Sequence, residues 1–224
     1  MSKVRVVGDS HSMMFRDRFC DGPKDLGRWV RSVDGRFTCC HLGAVRVETM
    51  DEMVGSTLAG MGEGDAAIIT GGEIDIRYKV VARADAHGAS LLDEVKVTVG
   101  AFVEMLGYYA TVARPGKVWV LGQLPHPVTD LGRGHVPRGT VARRNEAARL
   151  FNATLREMVP EGVTVVDVFD ELLDKEGAYA RPECTWDGVH LTPPAFAVVL
   201  AALGRAGVPL EAHGTIGEEV GGGE

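Results

Sequence analysis

The chain is short of cysteine, of basic charge and of long apolar runs, and each shortage removes a class of function. Its 224 residues hold 4 cysteines, Cys20, Cys39, Cys40 and Cys184, and none form a C-x-x-C pair. In a chain read as cytoplasmic they are expected to be reduced and buried. Cys39 and Cys40 are strand neighbours, point to opposite faces and are not expected to bond to each other. The net charge is -7, so the basic face that a nucleic-acid partner would require is missing. No apolar run approaches the ~18 residues of a membrane span, so no membrane partner is expected. The N-terminus opens on a strand pattern with Lys3 and Arg5 and has no apolar segment of the signal-peptide kind; the expectation is a cytoplasmic protein. There is no internal repeat.

What is present is ordinary for a globular enzyme-sized domain: 45% hydrophobic and 25% charged residues. The length suits one well-buried domain and is short for two. Residues 1–210 are read as that domain. Residues 211–224, Gly-rich and acidic through Glu211, Glu218, Glu219 and Glu224, are read as a disordered tail.

Five β-rich runs, 4–7, 37–42, 66–70, 118–121 and 163–168, are nearly continuous in apolar residues, as parallel strands covered on both faces must be. Helical patterns lie between them. A short one covers 13–19. One at 49–60 begins at a Thr49-x-x-Glu52 capping box. A long one covers 91–112, with Ser90 as N-cap and Pro115-Gly116 as the stop. Another covers 141–159, with Ala148, Phe151, Leu155 and Met158 on its apolar face, and the last covers 194–203. Asn145, Asn152, Arg143, Arg144 and Arg149 are assigned to a solvated or capping face of the fourth helix. The alternation predicts an α/β fold, a three-layer α/β/α sandwich on a five-stranded parallel sheet of flavodoxin-like type. Sites in such sheets lie beyond the carboxyl ends of the strands. Two segments there, 72–88 and 123–138, are read as long surface loops, the second carrying His126, Arg133 and His135.

Two short motifs carry chemistry. The first strand runs into Gly8-Asp9-Ser10-His11 and then into a helical start, which puts Ser10 beside backbone N–H groups that favour an anion. Ser10 is therefore a candidate nucleophile. The second motif, Thr185-Trp186-Asp187-Gly188-Val189-His190, precedes the last helix. A carboxylate three residues from a histidine fixes one ring nitrogen and leaves the other to take a proton from a serine. Both motifs open on the same face, so Ser10 and His190 are expected to meet. Trp186 is expected to pack beside the histidine loop.

These two motifs, in this order on this frame, resemble the first and last sequence blocks of the SGNH (GDSL-like) hydrolases, over about residues 3–205. The resemblance implies esterase, deacylase or acyltransferase chemistry on an acyl ester of a small molecule or sugar, with no cofactor and no metal. It makes Ser10 the nucleophile, His190 the base and Asp187 its orienting acid, with the Ser10 amide as one oxyanion donor. Gly43 fits the family's second block as another donor. The third block departs. Where the family has Gly-x-Asn-Asp, this chain has Gly71-Gly72-Glu73-Ile74-Asp75-Ile76-Arg77, which resembles a divergent subgroup carrying Gly-Glu-Ile-Asp-x-Arg. Glu73 then stands at the position of the oxyanion asparagine. It would have to be protonated, or paired with Arg77, or replaced by another donor. His11 is expected to line the site. Two other classes remain open: a non-hydrolytic binding protein that uses Glu73 and Arg77, and a metal-dependent phosphoesterase, which Asp9-x-His11 also resembles.

Overall fold

The structure, a computed structural model, describes residues 4–15, 38–39, 58–114, 116–128 and 137–210. Five parallel strands form one sheet: β1 (Val4–Gly8), β2 (Thr38–Cys39), β3 (Ala66–Thr70), β4 (Lys117–Leu121) and β5 (Val163–Val166), in the order β2-β1-β3-β4-β5. The predicted sheet is present. The order reverses at β1, so the crevice of such a sheet opens where β1 and β3 end, with Gly8 paired to Thr70.

The period-two alternation of the strands divides the core. Val7, Ala67, Ile69, Val118 and Val120 point to one face, where α2 (Leu91–Val112) and α3 (Val141–Met158) cover them through Val95, Val99, Phe102, Phe151 and Leu155. Val4, Val6, Ile68, Trp119 and Leu121 point to the other, beneath α4 (Pro193–Arg205) and its Phe196, Val199 and Leu203. Among the described residues no helix is long and apolar enough to cross a membrane.

Several helix ends follow from local chemistry. The Ser90 side chain accepts from the Asp93 amide and starts α2 where expected, and Thr140 does the same for α3 through the Arg143 amide. Segment 72–88 is a correction. It is not a loop but helical throughout most of its length: a π-helical stretch, Asp75–Val80, runs directly into α1 (Val81–His87). Ile76, Val80, Val81 and Ala84 are buried at helical spacing, and Gly88 closes the element in the left-handed region (φ 61°). The flanking glycines concealed that period.

The fourth predicted helix needs correction on its polar residues. Arg144, Asn145 and Asn152 are buried, not solvated, while Met158 is 41% exposed instead of packed. Arg143 and Arg149 do face solvent and pair with Asp85 and Asp170. Cys184 is a buried free thiol. Residues 49–57, loop residues 129–136, the other cysteine side chains and the tail 211–224 lie outside the described residues.

Candidate active site

At the carboxyl end of β1 the chain passes under Thr70 with no room to spare. A Cβ on Gly8 would stand 2.1 Å from the Thr70 carbonyl oxygen, so glycine is required there. The next residue, Asp9, is 1% exposed and works as a clamp. Its Oδ1 accepts from the His11 amide (3.0 Å) and from Thr70 Oγ1 (3.1 Å). The clamp fixes the turn in which Ser10 opens a 3-10 helix, Ser10–Phe15. Ser10 is described by its backbone; its side chain lies outside the described set.

The loop before α4 is built around Asp187. Its Oδ1 accepts from the Val189 and His190 amides (2.9 and 2.8 Å), and its Oδ2 lies 2.6 Å from His190 Nδ1. Gly188 takes φ 82°, which the tight turn requires. Burial raises the Asp187 pKa, but the bonds from His190 outweigh it and hold the carboxyl below its usual range. Nδ1 of His190 is thus engaged by a carboxylate and Nε2 is left for another partner. Trp186 is 46% exposed and lies beside the histidine loop, its ring stacked on the His190 imidazole at 5.6 Å and 23°.

The two motifs meet through His11. Its Nε2 lies 3.1 Å from the Val189 carbonyl, and its ring centroid is 6.2 Å from that of His190. His11 is buried, with Nδ1 3.5 Å from Asp9 Oδ1. Burial disfavours its charged form, yet Asp9 and Glu73 overcome that and raise its pKa. Asp9 is correspondingly lowered, against its own burial, by His11.

Glu73 and Arg77 complete one wall. Both are buried, at 8% and 4% exposure. Arg77 Nε lies 2.5 Å from Glu73 Oε1, one helical turn away. The approach is close but not aligned as a hydrogen bond, and both atoms otherwise lack one. Burial raises the Glu73 pKa and outweighs the opposing charges of Arg77 and His11. Asp9 and His190 also act on Glu73 electrostatically. A small cavity of about 210 Å³, counted with its open mouth, runs along Asp9, His11, Gly71 and Gln123. A wider groove of about 740 Å³ on the same count adjoins the histidine loop, lined by Pro127, Val128, Pro182, Thr185 and Gly188. Gly43 lies outside the described residues.

Sequence reading missed how the loop after β4 is held. Asn152 accepts from the Gln123 amide (2.6 Å) and donates to its carbonyl (3.0 Å). Asn145 does the same for His126, at 2.7 and 3.1 Å. Gln123 Nε2 donates to the Gly71 carbonyl (2.5 Å), tying this loop to the start of the Glu73 helix. The signal was available: Asn145, Ala148 and Asn152 share a helix face beside Phe151 and Leu155. Among the described residues, no three His, Cys, Asp or Glu side chains gather as metal ligands.

No protein-family model matches the chain, and a search of curated proteins finds no match. Solved structures do match. A Bacteroides fragilis protein with a proposed acylhydrolase activity aligns with TM-score 0.61 at 18% identity, over 92% of this chain and 86% of that one. A GDSL-like lipase from Bacteroides thetaiotaomicron aligns with TM-score 0.58 at 14% identity, over 92% and 87%. The chain has the fold of the SGNH (GDSL-like) hydrolases.

Proposed function

We propose that this fold carries a serine hydrolase that cleaves an acyl ester through Ser10, His190 and Asp187. The observation behind the reading is the Asp187–His190 bond of 2.6 Å, set beside the segment that opens with Ser10 through the His11–Val189 contact. His190 Nε2 takes the Ser10 Oγ proton as Oγ bonds to the acyl carbon. The tetrahedral oxyanion collapses, the C–O bond to the alcohol breaks, and the alcohol leaves with the proton from His190. Water then gives its proton to His190 and attacks the acyl-Ser10 ester, releasing the acid and the free serine. An alcohol acceptor in place of water makes the same step an acyl transfer.

In this reading Glu73 does the work of an asparagine. As a neutral acid it donates one hydrogen bond to the oxyanion; as a carboxylate it would repel it. Its raised pKa supports the neutral form, and Oε2, which has no partner among the described residues, is the oxygen to carry the proton. Arg77 keeps a positive charge behind it. The stacked Trp186 ring favours the imidazolium that His190 becomes. The test is hydrolysis of short p-nitrophenyl esters by the wild type and by Ser10→Ala. Loss of turnover with the fold intact is expected. Equal activity in both proteins would overturn the reading and favour a non-hydrolytic binding protein built on Glu73 and Arg77.

A further inference from the structure

His11 joins the two reactive segments from the positions next to their reactive residues. It follows Ser10 in the chain, and its Nε2 lies 3.1 Å from the carbonyl of Val189, the residue before His190. A carbonyl only accepts, so Nε2 is the donor. On the other side of the ring, Nδ1 lies 3.5 Å from Asp9 Oδ1. The same oxygen accepts from the His11 amide (3.0 Å) and from Thr70 Oγ1 (3.1 Å), which anchors the turn to the end of β3. The peptide unit that His11 reaches is the one that carries His190. Its carbonyl end accepts from His11, and its amide end, the His190 N–H, donates to Asp187 Oδ1 (2.8 Å). A planar peptide held at both ends sets where the His190 Cα stands. Asp187 and His190 share one loop, so their bond orients the ring without relating it to β1. The link from Thr70 through Asp9 and His11 to Val189 supplies that relation, and it leaves the two imidazole rings 6.2 Å apart, centroid to centroid.

We propose that His11 is a positioning residue for the reaction: through its bond to the Val189 carbonyl it holds His190 at the distance from Ser10 that proton transfer needs. The inference rests on the hydrolase reading and adds a residue to it. His11 acts through the peptide that carries His190 and not on the ester. Asp9 stands against its ring as a counter-charge, so what His11 gives His190 is place and not field. A misplacement of about 1 Å costs about 10²-fold in rate, which sets the scale of the effect. A histidine that merely filled the interior would act through stability, and an apolar side chain of similar size would serve as well.

Three substitutions separate the two roles. Glutamine carries its side-chain amide nitrogen about as far out as Nε2 of histidine and keeps a donor for Val189. Asparagine ends near the place of Nδ1 and falls short. Leucine fills the space without a donor. The measurement is kcat and KM for p-nitrophenyl acetate, beside circular dichroism to show each variant folded. His11→Asn and His11→Leu should lose about 10²-fold in kcat with KM within about threefold, while His11→Gln keeps kcat within about tenfold of the wild type. Wild-type kcat in His11→Asn or His11→Leu, or a loss in His11→Gln as large as theirs, overturns the role. If His11→Leu does not fold, His11→Asn against His11→Gln decides. If the wild type shows no turnover, the hydrolase reading fails by itself. Amide hydrogen exchange at His190 then still decides whether His11 holds that peptide. Exchange about tenfold faster in His11→Asn and His11→Leu than in the wild type and His11→Gln supports it, and equal rates in all four refute it.

Discussion

Replacing Glu73 with glutamine isolates what its carboxyl group does. Glutamine has nearly the same shape, keeps a donor and cannot lose a proton. In the wild type, burial raises the Glu73 pKa against the pull of Arg77, so the donor exists below that pKa and is lost above it. Losing one oxyanion donor costs about 10²–10³ in kcat, or about 2.7–4 kcal/mol. Wild-type activity should therefore fall on the alkaline side as Glu73 ionises. In Glu73→Gln that alkaline fall should vanish, with activity at lower pH within about tenfold of the wild type. Glu73→Ala should lose about 10²–10³ throughout. Stability carries the same sign. A raised carboxyl pKa means the folded state holds its proton longer, so stability is lost as pH rises from the ordinary value of 4.5 through the folded one, and Glu73→Gln should flatten that fall. The assay is kcat/KM for a p-nitrophenyl ester against pH, beside thermal melts. A glutamine variant as poor as the alanine variant, or one with an unchanged alkaline limb, would refute the donor.

Other expectations follow from single contacts. Gly8→Ala places a Cβ 2.1 Å from the Thr70 carbonyl oxygen, against backbone that cannot move aside, and should cost more than about 3 kcal/mol in denaturant melts. Asp187→Asn keeps the size of the side chain but loses the charge that holds His190, and should lower kcat about 10³–10⁴-fold with the fold intact by circular dichroism. His126 lies well below its ordinary value of 6.5, through burial first and then nearby cations. Its folded state resists protonation, so the melting temperature should fall as pH drops below about 6.5, and His126→Gln should reduce that loss.

Much of this arrangement was legible in the sequence because it is local. The apolar runs gave the sheet, Ser90 sits where a cap belongs, and Asp187 and His190 are near enough in sequence for their pairing to be read directly. What was not legible depends on distant partners. Residues 72–88 looked like loop because Gly71, Gly72 and Gly88 punctuate them, while the period of Ile76, Val80 and Ala84 acquires meaning only against α2 and α3. Asn145 and Asn152 looked like surface residues because amides on a helix usually are. Here they supply the hydrogen bonds that the irregular chain after β4 cannot make with itself, since that chain has left the sheet. Arg144 was misread for another reason: its partner is local, the Gly139 carbonyl at 2.8 Å, where the guanidinium folds back onto the start of its own helix.

The central claim is that Ser10 is a nucleophile activated by His190. Labelling with a fluorophosphonate, followed by peptide mass spectrometry, tests it most directly. The native protein should carry one phosphonyl group on the peptide containing Ser10, and the label should disappear in Ser10→Ala and fall sharply in His190→Ala. An unlabelled native protein, or undiminished label in Ser10→Ala, would contradict the account.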